Sequence, residues 1–183
     1  DRPKSAFAFS RPVQSDHRGD SIVHGYVCDA RLRPMLANPS RYLNSFSQFA
    51  GVIAPDFSML AGSPPHDRIA AAWLSRAVGY FYESRGLRVI PNIRWGQIED
   101  LNYVLAGLPT NSTVAISTQS LVADWELRSI LRDGIEILLE SLEPETLIVY
   151  GCMKRELLSV VHDRSRLINF PTDIQRAFAE RHH

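Results

Sequence analysis

Short apolar runs that each end in a polar loop are the feature of this sequence that most limits its fold. The run Gly51–Ala54 stops at Pro55 and is followed at once by Asp56 and Ser58. Such runs are rich in β-branched residues and lack the alternation typical of a strand with one face in water. They therefore predict strands buried on both faces, which means a parallel sheet covered by helices.

Segments with helical periodicity separate these runs along the chain. The predicted strands are Ser21–Cys28, Gly51–Ala54, Arg88–Ile93, Thr113–Ile116, Thr146–Tyr150 and Leu167–Phe170. The predicted helices are Pro39–Ala50, Asp67–Arg85, Gln97–Ala106, a long helix from the cap Asp124 to Leu142, residues 153–161, and a final helix after the capping box Thr172–Gln175. The segment Arg31–Pro39 is expected to be a loop. The pattern predicts an α/β fold with a parallel sheet of five to six βα units, as an open doubly wound sheet or a partial TIM-like barrel.

The length of 183 residues indicates one domain. Residues 1–20 are interpreted as an irregular lead-in, with Ala6–Phe9 held against the body, and residues 21–181 as a single α/β domain. Because the chain begins at Asp1 instead of methionine, we expect it to be trimmed. The closing pair His182 and His183 is interpreted as the remnant of a purification tag.

The charge balance argues against a strongly basic nucleic-acid-binding protein. Lys and Arg number 20, as do Asp and Glu, although Arg31, Arg33 and Arg41 form a local basic cluster. The two cysteines, Cys28 and Cys152, are not clustered, which argues against a zinc site and suits a cytoplasmic protein. No apolar run approaches the roughly 20 residues of a membrane span, so no membrane association is predicted.

The ends of the predicted strands carry the candidate site residues, because ligands of parallel α/β folds bind at the carboxyl ends of the strands. Asp56 and Asp29 are the predicted catalytic carboxylates. The predicted binding residues are Ser58, Asn92, Arg94, Trp95, Ser117, Thr118, Tyr150 and Gly151. This set suits a phosphorylated small molecule or a nucleic acid as the ligand. No metal ligands are predicted, and the sequence does not indicate a cofactor.

Each of these residues also has a structural interpretation. Asp56 followed by Ser58 is a good Asx-turn. Arg94 suits a phosphate clamp, but it equally suits an ion pair with Asp56. Asp29 suits a local ion pair with the nearby arginines, and Trp95 suits a place in the core.

No familiar catalytic motif fixes the reaction. The sequence has no GxGxxG, P-loop, HExxH or GxSxG pattern. The residue pattern therefore predicts a site without a defined chemistry.

The blocks at the predicted strand ends nevertheless resemble a known family. These blocks are Cys28–Leu32 (CDARL), Ile53–Ser58 (IAPDFS), Val89–Trp95 (VIPNIRW), Ser112–Ser117 (STVAIS) and Ile148–Gly151 (IVYG). Over about Tyr26–Gly151 they resemble a bacterial and phage family, domain of unknown function four-four-one-seven, chiefly through the PDFS and IPxxxW motifs.

The resemblance implies a bacterial or phage origin and an association with mobile elements, but no established activity. Its motif residues correspond to Asp29, Pro55, Asp56, Phe57, Ser58, Pro91, Trp95, Ser117, Tyr150 and Gly151. Members often carry two acidic residues where this chain has Cys28 and Asp29, and the loss of one weakens a two-carboxylate metal scheme.

Three functions are consistent with these observations. The first is an enzyme acting on a nucleotide, a nucleic-acid end or another phosphorylated small molecule. The second is a non-catalytic DNA- or protein-binding regulatory module of a mobile element, acting through the same pocket or through the Arg31, Arg33 and Arg41 cluster. The third is a toxin–antitoxin or phage-defence component. The sequence does not decide whether the protein is an enzyme, and the oligomeric state and any protein partner stay open.

Overall fold

Parallel pairing of all described strands confirms the α/β prediction. The computed structural model describes residues 3–10, 18–119 and 121–181. Within these residues the strands form two parallel sheets of four and three strands. The chain divides into two compact units at Gly96 and Gln97, and each is described by itself. Residues 11–17 of the predicted lead-in and the predicted tag at His182 and His183 lie outside the described residues.

The first unit contains a four-stranded sheet in the order β1-β2-β3-β4. Its elements are β1 (Ser5–Ala8), β2 (Ser21–His24), α1 (Asp29–Ala37), a 3-10 turn (Pro39–Tyr42), α2 (Leu43–Phe46), β3 (Gly51–Ile53), α3 (Pro65–Glu83) and β4 (Val89–Ile90). Strand β1 therefore replaces part of the predicted irregular lead-in, since Ser5 to Ala8 pair with Ser21 to His24.

The central strands of this sheet are buried on both faces, as the apolar runs predict. Every residue of β2 and β3 is buried. The core cluster consists of Val23, Met35, Phe46, Val52, Val78 and Tyr82. The Phe46 and Tyr82 rings meet edge to face at 5.2 Å.

Helix α1 corrects the predicted loop at Arg31–Pro39. Strand β2 ends at His24, earlier than predicted, and the chain is already helical at Asp29. The helix contains Pro34, which removes one backbone hydrogen bond and makes the segment look like a loop. Burial of Leu32 and Met35, three residues apart on one face, explains why the segment is helical nonetheless. The helix predicted next is also shorter, since only the 3-10 turn and α2 form.

Helix α3 confirms a predicted helix but buries a different face. Helical periodicity predicts an inward stripe of Ile69, Trp73, Ala77, Tyr80 and Phe81. Of these, Ile69 (49%), Trp73 (66%) and Tyr80 (72%) are exposed. The face that packs inward instead carries Arg68, Ala71, Ser75, Val78, Gly79 and Tyr82. This face includes the small residues Ala71, Ser75 and Gly79, and a Cβ at Gly79 would be in ordinary van der Waals contact with Ala54 and Val89, at 3.5 Å. Large apolar side chains stand on the exposed side of α3, so residue size and hydrophobicity alone do not identify its buried face.

The second unit contains a three-stranded sheet in the order β5-β6-β7. Its elements are a 3-10 turn (Ile98–Asp100), α4 (Leu101–Val104), β5 (Thr113–Ser117), α5 (Trp125–Leu142), β6 (Thr146–Tyr150), α6 (Arg155–Val161), β7 (Arg166–Phe170) and α7 (Asp173–Arg181). The helix predicted from Gln97 to Ala106 is reduced to the 3-10 turn and α4. The predicted strand Thr146–Tyr150 has the observed bounds of β6.

The predicted helix caps of the second unit are confirmed. The Asp124 carboxylate accepts hydrogen bonds from the backbone N–H groups of Glu126 (2.8 Å) and Leu127 (3.1 Å) at the start of α5. At α7, the Gln175 N–H donates to Thr172 Oγ1 (3.2 Å) and the Thr172 N–H donates to Gln175 Oε1 (2.7 Å). These paired bonds are the capping box that the sequence predicts.

The order of the strands limits the topology of each sheet. Strands that follow one another along the chain are neighbours in both sheets, so neither sheet contains the reversal of order found in a doubly wound sheet. The described strands form sheets of four and three, whereas we predicted one sheet of five to six βα units. The open doubly wound or partial-barrel arrangement of a single domain stays a prediction.

Gly25 provides a test of the contact between the segments that follow β2 and β3. A Cβ at Gly25 would lie 2.9 Å from Pro55 Cα, so Gly25→Ala must push these segments apart. We expect it to lower the free energy of unfolding by about 1–3 kcal/mol, measured by urea denaturation. Gly62→Ala is the control because a Cβ there meets nothing within 4 Å. Equal losses in the two variants would contradict the close contact.

Candidate functional site

Asp56 is held by two donors that follow the neighbouring strand β4. Asn92 Nδ2 donates a hydrogen bond to Asp56 Oδ1 at 2.8 Å. Arg94 Nη1 donates to Asp56 Oδ2 at 3.3 Å and forms an ion pair with it. The structure thus brings together Asp56, Asn92 and Arg94, as predicted for residues at the carboxyl ends of adjacent parallel strands. Of the two roles predicted for Arg94, the structure therefore shows the ion pair with Asp56.

The segment that carries Asp56 is fixed by contacts on both sides of it. Ser75 of α3 donates its hydroxyl to the Pro55 carbonyl oxygen at 2.7 Å, and the next side chain, Phe57, is buried. Asp56 does not form the predicted Asx-turn with Ser58, because the Ser58 N–H donates to Asp29 instead (3.2 Å to Oδ1). The Asp56 carboxylate is therefore oriented by Asn92 and Arg94, which follow β4, and not by its own loop.

The environment of Asp56 favours its neutral form more than water does. Its side chain is 12% exposed and that of Arg94 is 17% exposed. Burial raises the pKa of Asp56 above its ordinary value, while the charge of Arg94 and the hydrogen bond from Asn92 oppose this rise and the charge of Asp29 adds to it. A carboxyl group of this kind exchanges a proton closer to neutral pH than an exposed aspartate does.

Asp29 also lies at the carboxyl edge of the first sheet, but its side chain is exposed to solvent. It is in the first turn of α1, and Ser58 donates to its Oδ1 through both the hydroxyl (2.9 Å) and the backbone N–H (3.2 Å). The predicted ion pair with neighbouring arginines does not form within the described residues. Ser58 therefore orients Asp29, and the two carboxylates reach the same edge from the segments after β2 and β3.

Two further residues at the carboxyl edge of the first sheet, Tyr26 and His24, are not among the predicted site residues. The Tyr26 hydroxyl donates to Asn92 Oδ1 at 3.0 Å. The Tyr26 N–H donates to His24 Nδ1 at 3.2 Å, and the two rings lie 5.2 Å apart. Both residues fell inside the predicted strand Ser21–Cys28 and received no role at the site. The sequence feature that could have identified them is a pair of polar side chains within an otherwise apolar run.

Trp95 belongs to the core and does not offer a free stacking surface. Its side chain is buried. The loop after β3 lies directly against the next residue, since a Cβ at Gly96 would be 2.8 Å from the Met59 carbonyl oxygen. The core interpretation of Trp95 is therefore the one the structure supports.

The predicted site residues of the second unit meet one another but bond to the backbone around them. Ser117 Oγ donates to the Tyr150 carbonyl oxygen (3.4 Å), and Thr118 Oγ1 donates to that of Cys152 (2.9 Å). The Tyr150 hydroxyl accepts a hydrogen bond from the Asp173 N–H at 3.0 Å. These contacts give all three side chains a structural role at the carboxyl ends of β5 and β6.

Gly151 is required by the same turn. Its φ is 124°, and a Cβ there would lie 2.4 Å from Thr118 Oγ1. Gly151 therefore occupies a tight turn that a residue with a Cβ would strain. A ligand-binding role for Ser117, Thr118, Tyr150 and Gly151 stays a prediction.

Two structural patterns are absent from the described residues. In residues 3–10, 18–119 and 121–181, no three His, Cys, Asp or Glu side chains are grouped as they would be around a metal ion. No helix in these ranges is both long enough and apolar enough to cross a membrane.

The parallel sheets place the chain in the α/β class. Its candidate site residues follow the carboxyl ends of the strands of the first sheet. The model of the family described as Domain of unknown function (DUF4417) matches residues 1–170, and the chain belongs to that family. This confirms the resemblance seen in the PDFS and IPxxxW blocks.

Two phage proteins are similar to this chain. It is 26% identical over 154 residues to the Gene 1 protein of Mycobacterium phage L5, covering 83% of this chain and 67% of that protein. It is 27% identical over 157 residues to the Gene 1 protein of Mycobacterium phage D29, covering 83% of this chain and 57% of that protein. No solved structure matches the chain significantly.

The raised pKa of Asp56 predicts a defined pH dependence of stability. The folded protein keeps the Asp56 proton to higher pH than the unfolded chain does. The contribution of Asp56 to stability is therefore full below the unfolded pKa and is lost as the pH rises through the folded pKa. We expect the wild-type protein to lose stability relative to Asp56→Asn across this range, measured by urea denaturation at several pH values. A difference that stays constant with pH would contradict the burial effect.

Proposed function

We propose that the edge formed by Asp56, Asn92, Arg94, Asp29 and Ser58 is the active site of an enzyme. Its substrate would be a nucleotide, a nucleic-acid end or another phosphorylated small molecule. The observation that carries the proposal is the mostly buried Asp56 carboxyl group, each of whose oxygens is held by one donor. A fixed orientation and a raised pKa suit a group that transfers a proton.

Asp56 would act as the general acid or base, and Arg94 as the anion-binding group. Two carboxylates and one guanidinium group repel a phosphate when both carboxylates are ionised. A proton on Asp56 removes one negative charge and frees the Arg94 charge to attract the phosphate. Arg94 has N–H donors beyond the one that contacts Asp56, which suits this role. The phosphorylated substrate would therefore bind best while Asp56 carries its proton.

Asp29 would serve as the second carboxylate. It is exposed, and Ser58 fixes its position by two donors, so its remaining lone pairs face solvent. Such a group accepts hydrogen bonds from substrate hydroxyl groups, for example those of a ribose. The substrate would thus lie across the segments that follow β2, β3 and β4.

A phage-related role in the cytoplasm completes the proposal. The similar proteins come from two mycobacteriophages, which supports a role in phage biology. Cys28 and Cys152 are free thiols, as is typical of proteins in a reducing compartment.

The test of this function is the effect of Asp56→Asn on turnover. Nucleoside mono-, di- and triphosphates and a 5′-phosphorylated oligonucleotide would be screened for binding by calorimetry and for conversion by phosphorus NMR. With a converted probe, Asp56→Asn is expected to lower kcat/KM by about 10²–10⁴-fold, the usual contribution of a general acid or base.

The matched control is Asp20→Asn, which makes the same change at an exposed aspartate directly before β2, at the amino end of the first sheet. It should leave kcat/KM within about twofold, as a surface change away from the site does. A folded Asp56→Asn protein with unchanged binding and turnover would refute the assignment. Absence of conversion of every probe by the wild-type protein would count against enzymatic function.

A DNA-binding regulatory module is the second candidate, and one observation favours it. Arg31, Arg33 and Arg41 are all exposed, and their guanidinium groups have no hydrogen bond or ion pair within residues 3–10, 18–119 and 121–181. Unpaired arginines at a surface are suited to the phosphates of a nucleic-acid backbone.

Charge reversal separates this candidate from the first. We expect Arg31→Glu, Arg33→Glu and Arg41→Glu together to weaken binding to duplex DNA at low salt, measured by fluorescence anisotropy. The slope of log K against log salt should become smaller by about 0.9 for each DNA phosphate that the variant no longer neutralises. The control with the same charge change combines Arg88→Glu, Lys154→Glu and Arg155→Glu at other exposed positions. No binding by the wild-type protein, or equally weakened binding in both variants, would contradict a DNA-binding role for the cluster.

A further inference from the structure

Tyr26 is connected to Asp56 through one intermediate side chain. The Tyr26 hydroxyl donates to Asn92 Oδ1 at 3.0 Å, and Asn92 Nδ2 donates to Asp56 Oδ1 at 2.8 Å. Tyr26 and Asn92 are both buried. The three residues follow three neighbouring strands, β2, β4 and β3.

The two ends of the Asn92 amide are chemically different, so its orientation decides what Asp56 encounters. The amide oxygen only accepts hydrogen bonds and the nitrogen only donates them. A donor at Oδ1 keeps the nitrogen directed at Asp56, where it stabilises the ionised carboxylate. The reverse orientation would place the amide oxygen against a carboxylate oxygen, and two acceptors repel one another.

The bond from Tyr26 also strengthens the one that Asn92 makes. Hydrogen bonds in a chain polarise one another, so a donor at the amide oxygen makes the amide N–H groups better donors. The effect is larger in a buried site than in water because the local dielectric constant is lower.

The position of Tyr26 is itself fixed by the loop after β2. Its backbone N–H donates to His24 Nδ1 at 3.2 Å. The adjacent Gly25 lies against Pro55, the residue before Asp56. These contacts hold the backbone of Tyr26 beside the segment that carries Asp56.

From this geometry we infer that Tyr26 is a positioning residue of the Asp56 site, which fixes the Asn92 amide and through it the donor that Asp56 receives. Its relevance to turnover rests on the proposed function, whereas the effect on Asp56 itself does not. The charged groups that face Asp56 are Arg94, from the segment after β4, and Asp29, from α1. Neither is altered by removing the Tyr26 hydroxyl.

The test is a titration of Asp56 followed by the carbon-13 NMR signal of its carboxyl carbon. Tyr26→Phe should move the Asp56 midpoint to higher pH, because a weaker bond from Asn92 stabilises the ionised form less. Tyr82→Phe is the matched control, since Tyr82 is also a buried tyrosine of the first unit whose hydroxyl donates to a distant group, the Pro39 carbonyl oxygen (3.2 Å). Its midpoint should equal that of the wild-type protein.

A double-variant comparison tests whether Tyr26 acts through Asn92. Asn92→Ala should also raise the Asp56 midpoint, and adding Tyr26→Phe to it should cause no further shift. An unchanged midpoint in Tyr26→Phe, an equal shift in Tyr82→Phe, or additive shifts in the double variant would each overturn the inference.

The outcome is separable from that of the proposed function. A shifted midpoint together with unaltered turnover in Asp56→Asn would support the role of Tyr26 and refute the enzymatic role of Asp56. If Asp56 does transfer a proton, the pH profile of kcat should move in the same direction as the NMR midpoint in Tyr26→Phe, and in Tyr82→Phe it should not move.

Discussion

The contact of Asp56 with Asn92 and Arg94 is the interaction on which the first sheet's carboxyl edge depends. A carboxylate that is mostly removed from water is costly unless donors replace the water. Asn92 and Arg94 each satisfy one oxygen, and both come from the segment after β4. Removal of either partner would leave one oxygen of a mostly buried carboxylate without its donor, which is more damaging than loss of a surface pair. The bond network therefore joins the segments after β3 and β4, and it opposes the rise in the Asp56 pKa that burial causes.

Close backbone contacts give this network a rigid support. Gly25 touches Pro55, and Ser75 of α3 donates to the Pro55 carbonyl oxygen. The inner face of α3 carries small residues, one of which, Gly79, lies against Ala54 and Val89. Residues held by packed strands and helices keep their geometry better than residues in free loops, and a site for proton transfer requires such precision. The second sheet uses its polar strand-end residues differently, as hydrogen-bond partners for its own backbone.

The sequence predicts the features that depend on local residue patterns, and it does not predict the features that depend on packing between distant segments. Buried β-branched runs predict the strands, and the rule that parallel strand ends meet at one edge groups Asp56 with Asn92 and Arg94. The rule cannot reveal which strands share a sheet, so the division into two sheets was missed. Helix α1 could not be predicted because it contains Pro34, and a proline weakens a helix. Burial of Leu32 and Met35 on one face of the helix stabilises it nonetheless. Tyr26 was missed because a hydroxyl group inside an apolar run has a partner that only the fold brings near.

The most direct measurement of the central claim is a crystal structure of the chain grown with a nucleotide that it binds in solution. Our account predicts that the nucleotide lies at the carboxyl edge of β2, β3 and β4, with one of its polar atoms within hydrogen-bond distance of the Asp56 carboxyl group. A nucleotide bound elsewhere, with Asp56 contacting only Asn92 and Arg94, would show that the network is a structural brace and would contradict the account.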